Sequence, residues 1–264
     1  MKRFWLTPMA LAVLLVAGGQ VMGQDKKPIG FGTLDAASAE TVKTQAEAWL
    51  KATGNMNGGM ADQFEAIWKQ DRPVLDRLAD TFGLGNADAA KLIAEARDVS
   101  APAPTAVPAL IKDDKQSEFF RANFALAYAR ALNNRRVHEE ALDVLKMFRA
   151  EQVVDPAAYL FNRAVSEYSL LAKEDANRTI RRLLDEAGTF SPERFKAVAL
   201  LMQLDMVAWK TKDLDDIARK MKDVERRLDL ARGGPVTQEK QREIIARLDE
   251  VIKKLENQNK SGGT

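Results

Sequence analysis

Helix start signals recur at nearly even intervals in the second half of this chain, and their spacing limits the possible folds more than any other feature. Ser117, Asp155 and Ser191 each precede an apolar helical stretch, at intervals of 38 and 36 residues. Proline follows Asp155 and Ser191 directly, and proline suits the first position of a helix. A period of this length, with two helices in each interval, is typical of an array of helical hairpins.

Apolar residues recur at spacings of three and four along the chain, which is the pattern of one helix face. Few stretches alternate apolar and polar residues as strands do. Hydrophobic residues make up 46% of the chain, enough for a folded core, so a wholly disordered chain is excluded. We expect an all-α protein with helices over about 36–52, 60–71, 87–98, 117–133, 137–151, 156–172, 175–187, 192–210, 213–231 and 237–257, and one more from Val74.

A proline-rich stretch interrupts the helical pattern near the middle of the chain. Three prolines within residues 100–108 cannot lie in a helix interior. We interpret 100–109 as an extended connector; the alternative is a loop packed along a single domain. The predicted divisions are a signal peptide 1–23, an N-terminal helical block 24–99, the connector 100–109, helical hairpins 110–231, a heptad helix 232–257 and a disordered tail 258–264.

Two consecutive segments of the second block resemble the tetratricopeptide repeat. They are residues 124–132 and 137–145, with Ala129 at the small position of the first helix, and Ala141 and then Leu145 at the small and large positions of the second. The resemblance covers about 117–231 and departs at Thr179, where a small residue would stand. It implies a TPR-like α-solenoid whose concave surface holds a peptide or a partner helix. The alternative is an ordinary helical bundle.

Heptad spacing marks the last two helices. Apolar residues follow one another at intervals of three and four in both, and the short Gly-Gly-Pro break between them favours an antiparallel hairpin. The two rows are Leu214, Ile217, Met221, Val224 and Leu228, then Ile244, Leu248, Val251 and Leu255. The rows either pack on each other and cap the array, or form a coiled-coil seam for a partner or a homodimer. Leu248, Val251 and Leu255 are the candidate partner-binding residues.

The N-terminus has the layout of a secretory signal peptide. Lys2 and Arg3 precede an apolar run over 9–19, and small or apolar residues then fit cleavage before Gln24. An uncleaved anchor is the alternative, but the run is shorter than the ~20 residues that span a bilayer. We expect a soluble periplasmic or extracellular protein. Cleavage leaves 38 basic and 38 acidic residues, a zero net charge that argues against nucleic-acid binding.

The chain offers little catalytic or metal-binding chemistry. It has no Cys and a single His, His138, so disulfides, thiol nucleophiles and two-His metal sites are excluded. No glycine pattern forms a phosphate loop. We expect no cofactor and no enzymatic activity, and we interpret His138 as a polar residue at a helix start.

Three arginines form a possible binding face. Arg178, Arg181 and Arg182 share one side of a helix and are candidates for binding a partner or an anionic group. The alternative is a solvated face on which Glu174 and Asp185 neutralise them.

The expected function is that of an exported, non-enzymatic scaffold or adaptor that binds a protein or peptide through its helical-repeat surface. Two alternatives differ in class: an envelope protein that binds a glycan through aromatic side chains, and a carboxylate-dependent hydrolase. The three tryptophans downstream of the signal peptide, Trp49, Trp68 and Trp209, each lie in an apolar stripe and are expected in the core.

Overall fold

The computed structural model describes residues 32–54, 56–188 and 191–261, and of the last three residues it describes the backbone only. The predicted signal peptide therefore lies outside the described residues. The protein is all-α, 74% helical, and the described residues contain no strand. This confirms the expected fold class at the level of packed helices.

Twelve α-helices and one 3₁₀ turn are described. Their bounds are α1 Ala39–Ala52, α2 Gly58–Lys69, α3 Val74–Gly85, α4 Ala87–Arg97, α5 Ala109–Lys112, α6 Glu118–Asn134, α7 His138–Lys146, the 3₁₀ turn Ala150–Gln152, α8 Pro156–Ser169, α9 Lys173–Glu186, α10 Glu193–Val207, α11 Leu214–Asp229 and α12 Pro235–Ser261.

Successive helices pack in pairs. Helices α3 and α4, α6 and α7, and α8 and α9 form such pairs, and the first helix of each pair also packs on the first helix of the next. Helix α10 continues this row by packing on α8 and α9. The arrangement is compatible with a helical-repeat fold. The paired helices begin at α3, which lies before the first predicted repeat.

The same kind of turn joins the two helices in three pairs, α6 to α7, α8 to α9 and α11 to α12. Arg136, Leu171 and Ala231 each take a left-handed conformation, with φ of 63°, 62° and 56°. In each case the next backbone N–H donates to a carbonyl five residues earlier in the chain. This is the hydrogen bond that satisfies the last carbonyls of a helix and reverses the chain tightly.

Aromatic side chains join the two predicted blocks. Trp49 stacks on Phe120 at 5.2 Å between ring centroids, and Phe82 meets the edges of both rings. Residues on both sides of 100–109 belong to one hydrophobic cluster, which extends from Val42 to Met206. The connector packs along this cluster through Ala103 and Val107. The division into two domains stays a prediction.

Several predicted helix ends were wrong. Helix α7 ends at Lys146, not near 151. At this end the Tyr159 hydroxyl lies within hydrogen-bond distance of two carbonyls, that of Leu145 in the last turn and that of Phe148 just past the helix. Ser191 lies one residue before the N-cap, and its buried Oγ has no partner among the described residues. Helix α5, with its buried Ile111, was not predicted.

The last helix also differs from its prediction. It begins at Pro235, since proline fits the first helical position, and the expected cap, Thr237, lies inside it and donates to the carbonyl of Arg232 instead. Residues 258–261, expected in a disordered tail, are helical.

Replacing Gly85 tests the packing between α1 and α3. A Cβ at this position would lie 2.7 Å from the Trp49 ring and 2.8 Å from Leu50. We expect Gly85→Ala to lower the free energy of unfolding by about 1–3 kcal/mol, as overpacking does. Urea unfolding measures the change.

Gly58→Ala is the matched control. Gly58 begins α2, and a Cβ added to it would meet no neighbouring atom within 4 Å. This substitution should raise stability by about 0.4–1 kcal/mol, since it only removes freedom from the unfolded chain. Equal effects at the two glycines would contradict the described packing.

Candidate functional site

The C-terminal hairpin of α11 and α12 has its own small core. Ile217 and Val224 of α11 pack on Ile244 of α12, with Leu248 and Val251 partly buried beside them. This cluster is separate from the main one. Apart from Leu230, at the end of α11, which packs against the main cluster, the hairpin contacts the array through polar groups.

A buried ion-pair network holds the hairpin to the start of α7. The Arg226 guanidinium donates to both carboxylate oxygens of Glu139, at 2.8 and 2.7 Å, and to Asp223 at 2.7 Å. Arg227 also donates to Glu139, and Arg232 donates to Glu140 at 2.9 Å. The side chain of Arg226 is only 5% exposed.

The charges of this network stay ionised. Burial by itself would raise the pKa of Glu139, but the hydrogen bonds and charge of Arg226 outweigh it and lower the pKa to about 2. Burial likewise opposes ionisation of Asp223, and Lys240 and Arg226 overcome it, so its pKa is lowered. The network therefore persists at neutral pH.

The predicted heptad rows are only half buried. Leu214, Met221 and Leu228 are exposed. Helix α11 faces the array with polar residues such as Arg226 and packs on α12 only through the row of Ile217 and Val224. Of the candidate partner-binding residues, Leu248 and Val251 pack inside the hairpin and Leu255 is exposed.

Helix α10 has an open apolar face. Its buried side, with Ala199, Met202 and Met206, packs into the main cluster. Its other sides carry five aliphatic side chains that are 40–75% exposed. These five residues, the α10 face, are Val198, Leu200, Leu201, Leu204 and Val207.

A cleft of about 520 Å³ separates the array from α11. Its lining comes from the turns that end α6, α8 and α10 and from the facing side of α11. At one wall, Asp205 accepts hydrogen bonds from the Tyr168 hydroxyl, at 2.7 Å, and from Trp209 Nε1, at 2.8 Å. The Arg219 guanidinium lies 5.1 Å from the centre of the Trp209 ring.

His138 lines the same cleft. Its Nδ1 lies 3.0 Å from Oδ1 of Asn133, which also accepts a hydrogen bond from Ser166. The amide nitrogen of Asn133 donates to the carbonyl of Asn162, so its Oδ1 must accept, and Nδ1 of His138 carries the proton. Nε2 is then an acceptor.

The environment keeps His138 neutral. Burial first, and then the charge of Arg226, lower the pKa of His138 from 6.5 to about 4. Arg136 lowers it further, while Glu139 and Asp223 act in the opposite direction. Across the cleft, burial and Asp205 raise the pKa of Tyr168 to about 12.

The three candidate arginines line one surface depression on α9, beside residues 33–35. Arg178 pairs with Asp175, and Arg182 pairs with Glu186 at 2.7 Å and with Glu151 at 2.9 Å. Glu174 and Asp185, expected to neutralise them, are not these partners. Arg181 has no ion pair within the described part of the chain.

All three tryptophans pack with the main cluster, as predicted: Trp68 is buried in it, and Trp49 and Trp209 are partly buried against it. Trp209 lies beyond the end of α10, partly buried, with Tyr168 at 5.3 Å and Arg219 against its ring. Sequence reasoning missed that Trp209 and His138 line one cleft, because no local spacing connects them.

The described residues contain no cluster of His, Cys, Asp or Glu that could hold a metal ion. Among them, no helix combines the length and apolarity that a bilayer crossing requires. No protein-family model matches the chain, and neither curated proteins nor solved structures give a match.

Removing one charge from the ion-pair network should loosen the hairpin. Glu139→Gln leaves Arg226 buried without its main partner, so we expect a loss of about 3 kcal/mol in the free energy of unfolding. Hydrogen exchange of α11 and α12 should speed up. The exposed Glu225→Gln on α11 is the control, with an expected change within about 0.5 kcal/mol. Unchanged exchange in Glu139→Gln would show that the network does not hold the hairpin.

The single histidine permits a direct test of its state. We expect imidazole ¹⁵N NMR to show the proton on Nδ1 and a pKa near 4. Below pH 6.5, His138 is protonated in the unfolded chain but stays neutral in the folded chain. Stability should therefore fall by up to about 3 kcal/mol between pH 6.5 and pH 4. His138→Gln should lack this loss, and an NMR pKa near 6.5 would refute the described burial.

Proposed function

We propose that this protein is an exported, non-enzymatic scaffold that binds a helical protein partner through the α10 face. One observation carries the proposal: the row of paired helices stops at α10 with five aliphatic side chains exposed. In helical arrays, the last helix is normally covered or polar, because each hairpin buries its apolar face on the next.

The α10 face is comparable to the largest apolar patch of a typical monomer, and such patches are often functional. Five aliphatic side chains at 40–75% exposure amount to roughly 500 Å², in the upper range of the largest patch on a monomer. Burying this patch in a complex would contribute on the order of 10 kcal/mol before the costs of association. Helix α11, the next in the chain, does not cover it, because the ion-pair network holds α11 near α7.

The shape of the face indicates the kind of partner. It runs along a helix of 15 residues, about 22 Å long. Leu200, Leu204 and Val207 follow one another at intervals of four and three, so a partner helix with matching apolar residues packs along them. An amphipathic helix of similar length then takes the place of a second helix paired with α10.

The remaining features fit a scaffold in the cell envelope. The predicted signal peptide directs export, and a chain without Cys tolerates an oxidising compartment. Helix α10 packs on α8 and α9 and into the main cluster, and this packing sets the position of the α10 face. A groove of stacked tryptophans for a glycan is not favoured, since Trp68 is buried and the Trp49 ring is already stacked on Phe120.

A photo-crosslinker in place of Leu204 tests the proposed face in the cell. We expect it to capture one protein reproducibly, with the crosslink mapping to a helix of that partner. Placed at Val99, which is 85% exposed in a loop, the same group should capture nothing specific.

A second substitution distinguishes docking from mere exposure. Leu201→Asp should abolish the crosslink from position 204 and leave the far-UV spectrum and unfolding midpoint unchanged, since Leu201 is 64% exposed. Equal crosslinking at the two positions, or capture that persists in Leu201→Asp, would refute the proposal. A crosslink only to a second copy would identify self-association instead.

A further inference from the structure

We propose that the cleft between the array and α11 binds an acidic sugar, a hydroxylated ring that carries a single carboxylate. The cleft contains acceptors that suit hydroxyl groups, cations that suit one anionic group and a small apolar wall. The proposal does not depend on the α10 face, which is a separate surface.

His138 supplies an acceptor in a fixed position. It is 6% exposed, and the Asn133–Ser166 pair holds its Nδ1–H. Its Nε2 has no hydrogen-bond partner within the described part of the chain. Because the imidazole is neutral at pH 7, Nε2 accepts a hydrogen bond and does not donate one. It therefore selects a ligand hydroxyl over a carboxylate oxygen.

Two carboxylates provide further acceptors. One oxygen of Asp205, Oδ2, is already used by Tyr168 and Trp209, and these bonds hold the other oxygen in place. Asp215 lines the cleft with no ion pair among the described residues. Carboxylate oxygens accept from hydroxyl groups, and they repel a ligand with two or more negative charges. This combination disfavours a phosphate ester.

Cationic side chains can take one carboxylate. Lys222 is exposed at the cleft and forms no ion pair in the described residues, so its ammonium group is free for an anion. Arg136 borders the cleft with only a long contact, 3.4 Å, to Asp229. Arg226, in contrast, is saturated by Glu139 and Asp223.

The size and the apolar wall complete the match. A volume of about 520 Å³ lies within the range of small-molecule sites, which runs to roughly 1,000 Å³. Leu171, Ala208 and Ala218 offer an aliphatic surface for the C–H face of a sugar ring. Tyr168 and Arg219 pack against the Trp209 ring, so this wall, not the indole face, receives the sugar.

The single histidine makes binding visible in the intact protein. Sodium glucuronate, added to the protein with ¹⁵N-labelled histidine, should shift the Nε2 resonance of His138 in a saturable manner. Glucose lacks the carboxylate and acetate lacks the hydroxyls, so each should bind at least ten-fold more weakly. Methyl glucuronide distinguishes a free sugar acid from the end of a glycan chain, because its anomeric oxygen is blocked.

Lys222→Gln is the test variant and Lys253→Gln, an exposed lysine on α12 away from the cleft, is its matched control. We expect Lys222→Gln to weaken glucuronate binding at least five-fold and Lys253→Gln to leave it unchanged. No saturable shift with glucuronate or its methyl glycoside, equal binding of glucose or acetate, or equal effects of the two lysine variants would each overturn the proposal.

Discussion

The burial of α6 on nearly all sides is the constraint on which the rest of the structure depends. Twelve of its 17 residues are buried, so helices must pack around its whole circumference. Helices α3 and α4 cover one side, and α7 and α8 cover the other. A helix that is apolar all round requires such a surrounding, because any exposed side would leave a large apolar surface in water. The two predicted blocks meet for this reason.

The C-terminal hairpin is attached in a different way. Its own core is small, and beside an apolar contact of Leu230 it is joined to the array by charged groups around Arg226 and Glu139. Buried ion pairs contribute little net stability compared with apolar packing, but they impose strict geometry, since an unpaired buried charge is costly. The ion pairs thus fix the position of the hairpin. Two features result from that position: a polar cleft lies beside the hairpin, and the hairpin does not cover the α10 face.

Much of the fold was predictable, and the site was not. The caps at Ser117 and Asp155 were predicted correctly, because a side-chain oxygen placed just before an apolar helix is a local signal. Ser191 and Thr237 carry the same signal but do not cap: Ser191 lies one residue before the N-cap, which is Pro192, and Thr237 lies inside the first turn of α12. The cleft depends on the contact between Arg226 and Glu139, which are 87 residues apart in the sequence. No periodic pattern in the sequence predicts a contact over that distance.

The sequence by itself determined where most of the helices lie, which of their faces are apolar, and that the protein is all-α, because these properties follow from spacing within a few turns. Tertiary structure decided what each face meets. It buried His138, left Leu204 exposed and set Trp209 beside Tyr168. These outcomes depend on the directions in which distant helices cross, and those directions follow from side-chain packing over the whole chain.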